Sequence, residues 1–179
     1  MKDLLDILEA MAAQKGVVEN PRELFLDMAE RVVKSVSQSF GCKSDEVAIL
    51  LVTSDGKHLR FAAPRRFADL GTIPLTKRDS IAVNILGRKV GEAMNNVPVV
   101  KHVAFFETVK LREKALPIQK MITVPILYEG NAVGVAQISR KGENPAVAGA
   151  DFTGTDVQKA QELFAKVATP LMSARPERF

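Results

Sequence analysis

Tryptophan is absent from the 179 residues, tyrosine and cysteine occur once each, and histidine occurs twice. Each scarcity removes some chemistry. A lone Cys42 excludes an intramolecular disulfide framework, a thiolate zinc cluster and a CxxC redox motif. His58 and His102 lie too far apart in sequence to form a metal-ligand spacing motif. No apolar run approaches the roughly 20 residues that span a bilayer, so no membrane helix is expected. The opening stretch MKDLLDILEAMAAQ carries three acids in its first nine residues and no uninterrupted apolar segment, so it does not read as a targeting signal. A reducing, cytoplasmic setting is the expectation. GxSxG, Walker A, GxGxxG and HExxH patterns are all missing, and an enzyme is not expected.

What is present is ordinary in amount and uneven in placement. The chain is 46% hydrophobic and 26% charged, and a chain of this length folding as a single domain buries roughly 70% of its unfolded surface. The net charge of +4 conceals an acidic first third and a basic middle. Residues 55–120 hold 13 Lys/Arg against 6 Asp/Glu, a net of +7, whereas residues 1–54 hold 6 against 9. The basic residues occur as pairs, Arg65-Arg66, Lys77-Arg78 and Arg88-Lys89, without a recognisable nucleic-acid motif, so nucleic acid is not an expected partner.

Residues 3–14 place Leu4, Ile7, Leu8 and Met11 at helical spacing. A second helix starts at Asn20-Pro21 with Glu23 in the capping-box position, carries an apolar stripe from Leu24 to Phe40, and closes at Gly41. Residues 47–53 (VAILLVT) read as a central strand, Ser54-Asp55-Gly56-Lys57 as a turn, and 58–63 (HLRFAA) as the returning strand. Residues 64–76 read as a connection. Thr76 with Asp79 is expected to open a short helix carrying Ile81, Ile85 and Leu86, stopped by Gly87, and a short strand is expected near 89–94. Residues 95–117 form a long connection, in which the adjacent Phe105 and Phe106 cannot share one core spot, so that one is available to line a cavity or a partner surface, the alternative being that one packs inward and the other covers a neighbouring apolar patch. Strands over 118–128 and 132–141 are joined by Glu129-Gly130-Asn131, with Gly130-Asn131 taking positive φ. Pro125 is expected where its strand is unpaired on one side or bulged. Thr153 with Asp156 opens a last helix, which Pro170 kinks or frays, and the tail 174–179 is expected to be loose. Hairpins rather than βαβ repeats predict an α+β domain, an antiparallel sheet with terminal helices on one face.

The opening hairpin VAILLVTSDGKHLRFAA, the closing hairpin MITVPILYEGNAVGVAQISRK and the final DFTGTDVQKAQELFAKVATPL together resemble the GAF domain, a small-molecule-binding regulatory module. The resemblance covers roughly residues 21–172, leaving 1–16 as an N-terminal amphipathic helix available for dimerisation. It implies a domain over 20–173 with about six antiparallel strands, and a pocket roofed by a short helix and a long loop. The roof would be 80–86 and 95–109. Site residues implied are Ser80, Asn84, Asn96, Phe105 and Phe106 around the roof, and Met121 and Thr123 in the floor.

The same resemblance implies a non-catalytic sensory role: a small ligand, anionic if the basic middle third roofs the pocket, with signalling through terminal helices in a homodimer to a separate effector protein. The alternative is an interaction or dimerisation module whose pocket is filled by its own side chains. No cofactor is specified. Cyclic-nucleotide-binding members carry an Asn-Lys pair followed by Phe and Asp-Glu, whereas here Asn95-Asn96 is followed by Phe105-Phe106-Glu107. Bilin-binding members need a cysteine placed otherwise than Cys42, and members that reduce free methionine sulfoxide use several cysteines.

Overall fold

The computed structural model describes residues 2–69, 71–97 and 116–179. Phe105, Phe106 and the roof beyond Val97 lie outside them. Helix α1 runs over Lys2–Ala12 and α2 over Pro21–Phe40. The local signals for α2 act as read: the Asn20 side chain accepts the Glu23 N–H at 3.1 Å, and Gly41 closes the helix at φ 60°. A residue with a Cβ is disfavoured at that angle.

The sheet has six strands, β1 (Val47–Val52), β2 (His58–Ala63), β3 (Thr72–Pro74), β4 (Glu92–Met94), β5 (Ile118–Tyr128) and β6 (Asn131–Lys141). Their spatial order is β3-β2-β1-β6-β5-β4, with every neighbouring pair antiparallel. Strand β3, inside what reads from sequence as a connection, is a three-residue edge strand paired to β2. It is too short to show alternation. Pro125 pairs with Val135 of β6 and lies past the end of β4, whose partners stop at Thr123, so its missing N–H breaks no ladder on that side. The β5–β6 turn places Glu129 (φ 49°) and Gly130 (φ 77°) in the left-handed region, not Gly130-Asn131, because Asn131 already pairs with Tyr128.

Helix α3 covers Ile81–Arg88 and is capped by Ser80, not Thr76. Turn hydrogen bonds from Lys77 to Pro74 and from Ser80 to Lys77 occupy the preceding backbone, so helical geometry begins only after them. Gly87 does not stop this helix; Lys89 does, at φ 56°, with its ammonium donating to the Gly130 carbonyl at 2.8 Å. Helix α4 (Gly154–Ala174) opens on a reciprocal Thr153/Asp156 capping box. Pro170 sits inside it and is buried, and the helix runs on for four more residues.

Strand alternation sorts the side chains into two layers. Ile49, Leu51, Ile122, Val124, Ile126, Ala136 and Ile138 face α1, α2 and α4, forming the larger core with Phe25, Val32, Phe164 and Val167. Leu50, Leu59, Phe61 and Val135 face the opposite way, toward Ala82 and Ile85 of α3. Burying each Val, Leu, Ile or Phe side chain among them contributes about 1.5–3 kcal/mol.

The tail is not loose. Phe179 is buried with its ring edge-on to Phe25, centroids 5.2 Å apart. Ser54 at the β1–β2 turn donates to the Glu177 carbonyl at 2.6 Å and accepts the Phe179 N–H at 2.9 Å. The apolar Phe179 ring joins the core, and hydrogen bonds satisfy the backbone that brings it there.

Candidate ligand-binding site

The α3 face of β5 and β6 differs in kind from the helix-covered face. On the latter, successive inward positions along the middle of these strands are apolar. On the former, Met121 and Thr123 of β5 stand opposite Ser139 and Gln137 of β6. Thr123, Gln137 and Ser139 are 1%, 4% and 5% exposed, which places three neutral polar side chains in the interior. Unpaired, each would cost about 1–3 kcal/mol.

Gln137 Nε2 donates to Thr123 Oγ1 at 3.3 Å. Ser139 Oγ donates to the Glu46 carbonyl at 3.0 Å, which anchors the turn that enters β1. Met121 joins a small apolar cluster with Val97, Ile81, Met94 and Ile118. Ile81 belongs also to the margin of the α3 cluster, so it bridges the two. Gln119, also buried, donates to the Gly142 carbonyl at 2.8 Å, while its Oε1 has no hydrogen-bond partner among the described residues.

Of the residues expected at the site, Met121 and Thr123 lie on this floor. Ser80 is buried beside it, its Oγ accepting the Val83 N–H at 3.4 Å as the α3 cap. Asn84 and Asn96 are exposed. The preceding Asn95 is half-buried and hydrogen-bonded to Phe152. Gln137 is absent from the sequence reading, although its signal is present: a lone amide inside the apolar run VGVAQIS, on the same parity as Val135.

Among the described residues, the paired charges of the middle third lie elsewhere. Arg65 reaches Glu23 and Asp27 of α2 at 2.6 and 2.7 Å, Arg66 meets Asp45 at 3.6 Å, and Arg60 meets Asp69 at 3.6 Å. Arg88 pairs with Glu92, and Lys120 with Asp151 at 2.7 Å. The acidic first third thus meets part of the basic middle third in surface pairs. Burial works to raise the Asp45 pKa, but the hydrogen bond and charge of Lys141, with Arg66, hold it below its ordinary value. Cys42 is half-buried, and burial together with the Glu46 charge pushes its thiol up to about 11. It is a thiol, not a thiolate, near neutrality. Among the described residues no group of three or more His, Cys, Asp or Glu side chains is placed to hold a metal ion. What the floor offers is an amide, hydroxyls, a thioether and hydrocarbon.

The GAF domain family model matches residues 25–171. The chain belongs to the GAF domain family, whose members are generally sensory and regulatory modules. Solved structures with the same fold include the GAF domain of a phosphoenolpyruvate-protein phosphotransferase from Acinetobacter. It is 13% identical with TM-score 0.62, over 96% of this chain and 94% of that one. Residues 122 to 287 of a methyl-accepting chemotaxis protein match at 14% identity and TM-score 0.62, over 92% and 96%. Free methionine-R-sulfoxide reductase from Neisseria meningitidis, solved with its substrate, matches at 17% and TM-score 0.60, over 97% and 89%. No curated protein matches the chain. Among the described residues no helix is long and apolar enough to cross a membrane.

Proposed function

We propose that this GAF domain is a non-catalytic sensory or regulatory module that takes a small, uncharged polar molecule between the sheet and α3. The buried Thr123–Gln137 pair supports this reading above all else. A sheet face that only packs against its own helix is served by hydrocarbon, as the opposite face of these strands is. A carboxamide and a hydroxyl side by side provide donors and acceptors for a ligand's polar edge, and Met121, Ile81 and Ile85 provide apolar walls. Among the described residues of the middle third, Arg60, Arg65, Arg66, Arg88 and Lys120 are engaged with carboxylates, so these five do not favour an anion at this face.

Output in this reading leaves through α4, to a second copy or a separate effector. Leu4, Leu5, Leu8 and Met11 of α1 pack within their own chain, which leaves Ile7, 43% exposed, as the apolar residue of α1 available to a partner. The test is a thermal-shift screen of uncharged amides, nucleosides and polyols alongside organic acids, on the wild-type chain and on Gln137→Leu. A ligand specific to the folded state raises the melting temperature. Stabilisation of the wild type by one neutral class, lost in the variant, supports the reading. Stabilisation by acids alone, or by nothing, overturns it, the latter in favour of an interaction module.

A further inference from the structure

We propose that Asn95 is a positioning residue that couples the α3 face of the sheet to the start of α4. The inference extends the reading of that face as a ligand site, but its geometry is independent of any ligand. Asn95 follows β4 directly. Its chain neighbours Met94 and Val97 both pack in the cluster that holds Met121. The Asn95 side chain instead engages one distant residue twice: Nδ2 donates to the Phe152 carbonyl, and Oδ1 accepts the Phe152 N–H, both at 2.9 Å. Phe152 immediately precedes Thr153, the N-cap of α4. A planar amide that bonds both polar groups of one residue fixes orientation as well as distance.

The other end of this short strand is seated against the same helix. At Gly91 a Cβ would meet Val124 and Val157 side chains at 2.9 and 3.0 Å, so the backbone lies close under the first turns of α4. Strand β4 is thus flanked by Gly91, seated against α4, and by Asn95, bonded to the residue before the α4 cap, while contributing Met94 to the opposite face. Nearby contacts hold the residues before α4 but do not share this two-sided placement. Lys120 Nζ bonds Asp151 at 2.7 Å and the Gly149 carbonyl at 2.6 Å, and the Arg140 guanidinium lies 4.6 Å from the Phe152 ring centre. A displacement of the Met94–Met121–Val97 cluster therefore reaches the α4 cap through Asn95. The physical element is a pair of hydrogen bonds that is made or broken as a unit.

The experiment is amide hydrogen exchange on the full chain, in wild type, Met121→Ala, Asn95→Ala and the double variant. The coupling is read as the extra exchange that Met121→Ala causes at residues 157–160 beyond its effect on the interior of α2. With Asn95 present, that excess is about tenfold, the order expected for losing one or two net hydrogen bonds. In the Asn95→Ala background the excess disappears. If Asn95→Ala does not fold, Asn95→Asp, which keeps the acceptor for Phe152 N–H, replaces it under the same criterion. An excess that persists without Asn95, or no excess in its presence, overturns the proposal. Since no ligand is added, failure here is distinct from failure of the ligand screen.

Discussion

Gln137 on β6 and Thr123 on β5 are directly opposite one another, and the amide of the first donates to the hydroxyl of the second at 3.3 Å with both side chains almost wholly out of water. A buried polar pair of this kind is costly to break and cheap to replace as a unit. Thr123→Val alone should therefore destabilise the chain by about 1–3 kcal/mol, because it leaves a buried N–H without its acceptor. Thr123→Val with Gln137→Leu should recover most of that loss. Urea denaturation of the two singles and the double closes the cycle. A double variant as unstable as the sum of the singles would mean that the pair does not act as a unit.

The tail is the second test. Phe179→Ala should cost about 3 kcal/mol, the usual scale for removing a buried aromatic ring, and Ser54→Ala about 1 kcal/mol through the lost tail hydrogen bonds. Both are measured by thermal or urea unfolding. Increased proteolysis of 175–179 in Ser54→Ala, with the remainder intact, would place the loss in the docked tail. An unchanged stability in Phe179→Ala would contradict its role in the core.

Gly134 sits in β6 opposite Leu51, where an added Cβ would fall inside contact distance of the Leu50 carbonyl oxygen and the Leu51 side chain. The obstructing oxygen is backbone within the sheet and cannot swing aside. Gly134→Ala should lower the yield of folded protein severely, whereas Gly154→Ala, with open space at its Cβ, should not. Soluble expression and far-UV circular dichroism compare the two.

Acid and base should act through different groups. The Asp156 carboxylate accepts the Thr153 N–H and hydroxyl, both at 2.8 Å, and these bonds hold its pKa below the ordinary 3.8. A carboxyl depressed in the folded state stabilises above its unfolded pKa and loses that contribution as pH falls through the folded value. Acid stability below about pH 4 should therefore be reduced in Thr153→Ala relative to neutral pH by less than in wild type, since part of the carboxylate's advantage is already gone. Thr153→Ala itself should cost about 1 kcal/mol at pH 7. At the basic end, Cys42 is raised from 9.0 to about 11. The folded chain then keeps a proton that the unfolded chain releases, so stability falls as pH rises from 9 to 11. Cys42→Ser should flatten that decline, and modification of native Cys42 by a thiolate-selective reagent should stay slow at pH 8.

Much of this fold was legible from local signals. Asn20-Pro21 and Gly41 bound α2 because a cap acts on its own neighbours and needs no tertiary partner. The β5–β6 hairpin was legible because Pro, Gly and alternating β-branched residues lie within one stretch. Elsewhere local signals competed. Thr76 and Ser80 both offer a cap hydroxyl, and the turns at 74–80 settle the matter in favour of Ser80. Strand β3 has no periodicity to read in three residues. The parity that puts Thr123 and Gln137 on one face could be read from sequence, but their direct pairing could not, because an irregularity at Ile126/Leu127 shifts the register between the turn and the pair. Phe179 docks through contacts more than 120 residues away, which no window on the sequence contains.

The ligand reading rests on one measurement above the others: mass spectrometry of small molecules released by denaturing the protein as purified from its own cells, compared for wild type and the Thr123→Val, Gln137→Leu double variant. A neutral polar compound released from the wild type and missing from an equally folded double variant is the predicted result. Release of the same compound in equal amount from both, or of nothing from either, would contradict binding at the Thr123–Gln137 pair.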